Sequence, residues 1–263
     1  MSYAEVNGQS LYYEEQGSGA GEALVLLHGG LGSGDMFAPL LPSLTQDRTV
    51  ITVDLQGHGR TADADRPLRP ELLADDVVAL IKHLGLDRAD VMGYSLGAEV
   101  ALWTAIRHPD AVRRLVLVSV PFRRDGWFPE VLASMDQMSA AAAEMLKGSP
   151  PHTHYAEVAP RPEDWPVLVG KTAELLHEDF DWSEEVAALT LPVLLVYGDA
   201  DSIRPAHAAE FYALLGGGQK DAGWDNAHRP ASRLAVLAGA SHYDILQSPA
   251  LPPTVLPFLT STL

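Results

Sequence analysis

Through the first two-thirds of the chain, short apolar runs alternate with amphipathic stretches, the pattern of strands joined by crossover helices in a mostly parallel sheet. Residues 23–27 (ALVLL) and 50–53 are continuous apolar runs, each followed at once by glycine-rich sequence, which predicts buried strands that end there. Residues 11–15 predict an earlier, half-exposed strand. Residues 71–84 set Leu72, Leu73, Val77, Leu80, Ile81 and Leu84 near helical spacing, with Asp75, Asp76 and Lys82 opposite, which predicts an amphipathic covering helix. Further strands are predicted at 89–93, 115–119 (LVLVS), 191–197 (LPVLLVY) and 233–237, with helices at 96–107 and 206–215.

The rhythm stops between residue 120 and about 188, where the sequence turns helical, rich in Met, Ala and Trp, and is interrupted by Ser149-Pro150-Pro151 and Pro160-Arg161-Pro162. This predicts a helical cap, residues 121–188, inserted into a core made of 1–120 and 189–263. Residues 216–230 (GGGQKDAGWDNAHRP) form a second irregular stretch. It follows a helix and precedes a strand, so in a parallel sheet it belongs at the end away from the strands' carboxyl termini, where ligands bind.

Composition narrows the function classes. With 263 residues, 47% hydrophobic and 20% charged, the chain can bury one large α/β core. A formal charge of −17 argues against nucleic acid or an anionic membrane as partner. No apolar run approaches the roughly 18 residues of a membrane helix. The first residues, Met1-Ser2-Tyr3-Ala4-Glu5, show no basic region leading into an apolar core, so a cytoplasmic protein is expected. The absence of cysteine excludes disulfides, thiolate metal sites and a cysteine nucleophile, leaving oxygen or nitrogen for any covalent chemistry.

Gly93-Tyr94-Ser95-Leu96-Gly97 lies after a predicted strand and opens a predicted helix, the context that makes G-x-S-x-G a nucleophile elbow. A serine hydroxyl is a poor nucleophile near neutral pH, so it needs a base to take its proton and a carboxylate to fix the base's tautomer. Gly198-Asp199-Ala200-Asp201 and Gly239-Ala240-Ser241-His242 each follow a predicted strand, so an acid and a histidine arrive on the nucleophile's side in the order Ser, Asp, His. His242 is the expected base, and either Asp201 or Asp199 the acid. The Leu96 amide, just after the serine, is one donor toward a developing oxyanion.

With His28-Gly29-Gly30 after an early strand and Asp54-Leu55-Gln56-Gly57-His58-Gly59-Arg60-Thr61 after the next, the chain resembles the α/β-hydrolase superfamily nearly throughout, outside the cap and residues 216–230. The resemblance implies the α/β-hydrolase fold, a mostly parallel central sheet with helices on both faces and a helical cap. It favours Asp201 over Asp199 as the acid, and Gly30 as the second oxyanion donor with Leu31 as the alternative. Some relatives carry the acid after the strand that here ends at Ser119-Val120-Pro121, where this chain has no carboxylate. His28 and His58 sit in motifs where histidines brace loops.

The expected substrate contacts are Leu31, Tyr94, Met135 and Met138. Met135, Met138 and Met145, like Trp165, Trp182 and Phe128, suit an adaptable acyl pocket and apolar packing of the cap equally. His152, His154 and His177 occupy no recognisable metal spacing, and Gly216–Gly218 lack the Gly-Lys-Ser/Thr ending of a phosphate loop, so neither metal nor organic cofactor is expected. The expected activity is hydrolysis of an ester or lactone of a small, partly apolar substrate by a monomer or homodimer. Because position 95 is serine, the resemblance speaks against epoxide hydrolase and haloalkane dehalogenase chemistry, which use aspartate there. Carbon–carbon bond hydrolysis of a diketone-like substrate is the enzymatic alternative. A small-molecule receptor and cofactor-free oxygen chemistry are further readings, and amide hydrolysis and perhydrolysis stay open.

Overall fold

The computed structural model describes residues 2–261. Met1, Thr262 and Leu263, which the expected core also takes in, lie outside the described residues. One eight-stranded sheet organises the chain. Its strands are β1 (Ser2–Val6), β2 (Gln9–Gln16), β3 (Gly21–Leu27), β4 (Arg48–Val53), β5 (Ala89–Tyr94), β6 (Val112–Val118), β7 (Val193–Ala200) and β8 (Arg233–Ser241). They lie in the order β1-β2-β4-β3-β5-β6-β7-β8. β1 and β2 pair antiparallel, as do β2 and β4, and every later pairing is parallel.

Alternation along the central strands sends side chains to two separate cores. Val25, Leu27, Val91, Leu115, Leu117, Val193 and Leu195 face helices Pro70–His83, Leu96–Arg107 and Pro205–Leu214, meeting Leu73, Val77, Val100 and Phe211. Leu24, Leu26, Met92, Val116, Val118, Leu194 and Val196 face the other way, toward Phe37, Leu40 and helix Leu251–Thr260 with its Val255 and Phe258. Strands buried on both faces must be apolar at every position, which is why they read as continuous runs rather than as alternations. Each fully buried Val or Leu contributes roughly 1.5–3 kcal/mol, so these two layers dominate the fold's stability.

β1, the short helix Leu41–Leu44 and helix Leu251–Thr260 are absent from the apolar pattern. β1 buries only Ala4 and Val6, and as an edge strand it needs no longer apolar run. Helix Leu251–Thr260 holds Pro252, Pro253 and Pro257, which argue against a helix in sequence. The first two fall in its opening turn, where proline is tolerated, and Arg114 donates to the carbonyls of Phe258 (2.8 Å) and Leu259 (2.6 Å) at its far end.

Between β6 and β7 the chain leaves the sheet and forms helices Pro129–Gln137, Ala142–Met145, Pro150–Val158, Trp165–His177 and Ser183–Ala187. Pro150 and Pro151, expected to interrupt helix, instead begin one, with Ser149 Oγ accepting from the His152 amide at its cap. Residues 216–230 connect helix Pro205–Leu214 to the start of β8, so they lie at the amino end of the parallel strands. Among the described residues, no helix is long and apolar enough to cross a membrane.

Candidate active site

β5 runs through the middle of the sheet, and the chain turns from its carboxyl end into helix Leu96–Arg107 at Ser95. Ser95 adopts φ 52° and ψ −121°, a conformation that L residues rarely hold. The surroundings enforce it. The Ser95 amide donates to the Val118 carbonyl at 3.0 Å, and its own carbonyl accepts from the Ala98 amide at 2.8 Å. The turn is tight enough that a Cβ on Gly93 would lie 2.0 Å from the Gly97 carbonyl oxygen, and one on Gly97 would lie 2.0 Å from that of Leu27. Both glycines are therefore required by close backbone approach.

β8 ends at Ser241 and presents His242, while β7 ends at Ala200 and presents Asp201. His242 Nε2 lies 3.2 Å from Ser95 Oγ, and His242 Nδ1 lies 3.1 Å from Asp201 Oδ1. The partners assign the proton to Nδ1, leaving Nε2 to accept from the serine hydroxyl. Asp201 Oδ2 also accepts from Ser119 Oγ (2.6 Å) and the Gly198 amide (3.0 Å), and Oδ1 accepts from the Ile203 amide (3.3 Å). Burial pushes the Asp201 carboxyl up, but hydrogen bonds from His242 and Ser119 outweigh it and hold it below the usual carboxylate range. Asp199 takes a different partner: it accepts from the Gly239 amide at 2.9 Å and ties the carboxyl ends of β7 and β8 together.

Tyr94 requires a correction. Expected at the substrate, it is buried, does not line the cavity above Ser95, and donates its hydroxyl to the His242 carbonyl at 2.6 Å. As the last residue of β5 it points to the sheet face opposite the elbow helix, in the core that contains Met92 and Val118.

Ser95 and His242 open onto a cavity of about 550 Å³. Gly30, Leu31 and Leu96 line its floor. Leu96 is the first residue of its helix, so its amide has no intrahelical acceptor, and among the described residues no protein group accepts from the Leu96, Gly30 or Leu31 amide. Leu31 holds φ 58°, which turns the loop after β3 beside the elbow. The roof comes from the insertion: Met135 and Met138 line it, as do Trp127 and Trp182. Met145 is 81% exposed and does not contribute, nor does Phe128; Trp165 is buried inside the insertion with its indole N–H donating to the Ala143 carbonyl.

The remaining histidines divide by burial. His28 Nε2 accepts from the Leu55 amide at 3.0 Å, and His28 and His58 donate through Nδ1 to the Gly29 and Gln56 carbonyls. Burial pushes His28 down to about 4 and His58 to about 3, so both are neutral braces of the loops after β3 and β4. His152, His154 and His177 do not converge: His154 meets Ser33 Oγ at 2.8 Å, His177 meets the Met135 carbonyl, and His152 accepts from the Gly148 amide.

Sequence reasoning passed over Ser119, Glu99 and Trp127. In sequence, Ser119 marks only the position after which some relatives carry the acid. In the structure, β6 neighbours β7, so a hydroxyl there reaches the carboxylate 82 residues later. Trp127 lies 5.4 Å, centroid to centroid, from the His242 ring and meets it edge-on.

A family model for the alpha/beta hydrolase fold matches residues 22–158. The RutD protein of Caulobacter vibrioides is 35% identical over 171 residues, which is 63% of this chain and 60% of that protein, so the chain spans under two-thirds of that relative. A pimeloyl-[acyl-carrier protein] methyl ester esterase of Neisseria meningitidis is 31% identical over 240 residues, covering 84% of this chain and 86% of that protein. Among solved structures, the enol-lactonase of Burkholderia xenovorans superposes with a TM-score of 0.72 at 25% identity, covering 98% of this chain and all of the other. Esterase and lactonase alike are enzymes of the hydrolase type.

Proposed function

The chain belongs to the alpha/beta hydrolase fold family, and we propose that it is a serine hydrolase cleaving an ester or lactone of a small, partly apolar substrate through an acyl-enzyme. The observation that carries this reading is the continuous relay from Ser95 through His242 to Asp201, 3.2 and 3.1 Å long, at the base of a cavity whose roof is largely apolar.

In this reading His242 takes the Ser95 proton as Oγ attacks the carbonyl, and Asp201 stabilises the imidazolium that forms. The free Leu96 amide, with Gly30 or Leu31 opposite, receives the oxyanion, an interaction worth about 3 kcal/mol per donor in comparable sites. His242 then protonates the leaving alcohol, and a water deprotonated by the same imidazole releases the acid. Asp201 is suited to its role because Ser119 and the Gly198 amide hold it ionised and fixed while its other oxygen faces the imidazole. No step calls for a metal or an organic cofactor. The reading extends to a cytoplasmic monomer or homodimer acting on a small molecule.

The test is covalent. Intact-mass measurement after a fluorophosphonate probe should show one adduct on the wild type and none on Ser95→Ala, with release of alcohol from simple alkyl esters by the wild type alone. A folded wild type that takes no label and hydrolyses no ester or lactone overturns the proposal.

A further inference from the structure

Glu99 sits one turn after Ser95 on helix Leu96–Arg107, so its side chain rises over the turn that carries the nucleophile. It lines the same cavity as Ser95, and among the described residues nothing donates a hydrogen bond to its carboxyl and no cation pairs with it. Glu71, from the first turn of helix Pro70–His83, lines the cavity too and is likewise without an ion pair among the described residues. The two arginines of the cavity wall are already engaged: Arg69 pairs with Glu178 at 3.0 Å and Arg124 with Asp136 at 2.5 Å. The space beside Ser95 therefore holds two carboxyl groups that no protein cation compensates among the described residues. Burial, with the Glu71 charge adding to it, pushes the Glu99 carboxyl up to about 8. A side chain needed only to fill this place would cost less as leucine or glutamine, because an unpaired carboxyl loses solvation and gains no partner. A cation arriving with a ligand would repay that cost.

We propose that Glu99, with Glu71 beside it, receives an ammonium group carried by the substrate, so that the enzyme selects amine-bearing esters over neutral ones of the same shape. This rests on Ser95 being the nucleophile, and it adds a substrate class to that reading. Glu99 binds and selects; it takes no part in the proton relay.

The experiment compares ester pairs that differ only in charge. Benzyl esters of glycine and of 3-aminopropanoic, 4-aminobutanoic and 6-aminohexanoic acids are set against the esters in which methyl replaces the ammonium. Choline butanoate against 3,3-dimethylbutyl butanoate does the same for the alcohol side. The wild type is expected to show kcat/KM at least about tenfold higher for the cationic member of one or more pairs, a charge-assisted contact being worth that much. In Glu99→Gln the ratio for that pair falls to about one or below, and in Glu71→Gln it falls by a smaller factor. The ratio is internal to each variant, so a partly misfolded preparation does not distort it. Ratios near one in the wild type for every pair, or a preference that survives Glu99→Gln, overturn the proposal.

Fluorophosphonate labelling of the same preparations separates the two levels of failure. If Ser95 takes no label and no ester is turned over, the hydrolase reading falls and this proposal with it. If Ser95 is labelled but no ester of the panel reacts, protection against labelling decides. Hexylammonium must then protect at a concentration about tenfold below that of 1-hexanol, and equal protection overturns the proposal.

Discussion

The floor and the roof of the cavity are built on different terms. In the elbow helix Leu96–Arg107, eight of the twelve residues are buried, and the turn into it is held by Gly93 and Gly97, which admit no side chain. In the roof helix Pro129–Gln137 no residue is fully buried, although Met135 and Val131 face the cavity. On the proposed reading the floor holds the reacting groups, where a shift of an ångström is costly, and packing and hydrogen bonds over-determine it. This helix of the roof is fastened loosely and presents a soft methionine side chain, which on the proposed reading suits a surface that selects substrate, whereas Trp127 and Trp182 anchor the roof in the core. Chemistry should therefore fail when the floor is altered, and selectivity should drift when the roof is.

The sharpest way to break that contrast is at Ser95. Ser95→Ala should lower kcat/KM for any ester substrate by about 10⁴-fold or more, with an unchanged urea midpoint. A variant that retains a tenth of the activity would place the chemistry elsewhere. Asp201→Asn should cost about 10³-fold by disturbing the imidazole's tautomer, while Asp199→Asn, which touches only the Gly239 amide, should stay within about threefold. Reversed effects would reassign the acid.

Acid should strike the floor first. His28 and His58 are buried there and held neutral, at about 4 and 3, whereas His152, His154 and His177 of the insertion are part-exposed or exposed. Because their folded values lie below the usual 6.5, the stability they contribute is complete above pH 6.5. It is lost as pH falls toward those values, by about 2 kcal/mol per histidine at pH 4.5. Urea melts at pH 7 and 4.5 check this, and substituting the insertion's three histidines should leave the difference in place.

Smaller effects sharpen the comparison. Ser119→Ala removes one of the hydrogen bonds that hold Asp201 and should lower kcat about tenfold with little change in KM. Met135→Ala should alter relative KM values across a series of acyl chain lengths by a few fold while moving Tm by less than about 2 °C, since no neighbour buries it fully. A larger loss of Tm than of selectivity would mean the roof is part of the stability core after all.

The same contrast explains what could be read in the sequence. The floor announces itself locally: glycines at 93 and 97 are compelled by backbone contact, and strands buried on both faces spell continuous apolar runs. The roof does not, because a methionine that lines a cavity and one that faces water are the same letter. Met138 lines the cavity while Met145, seven residues later, is 81% exposed. Tyr94 differs from its sequence expectation for a related reason: adjacency to Ser95 points toward substrate, but alternation along β5 turns it to the opposite face, under His242. Ser119 and Glu99 gain their meaning only from partners brought close by the sheet order and by helix packing, which no local pattern encodes.

The relay joins residues 95, 201 and 242, each at the end of a different parallel strand, the last of them on the final strand of the sheet. During synthesis the elbow can form long before its base exists, because β8 emerges some 140 residues later, at positions 233–241. A partly made chain thus carries a strained but unarmed serine. On the proposed reading, the onset of activity during refolding would time the pairing of β8 with β7 and so the closure of the sheet itself.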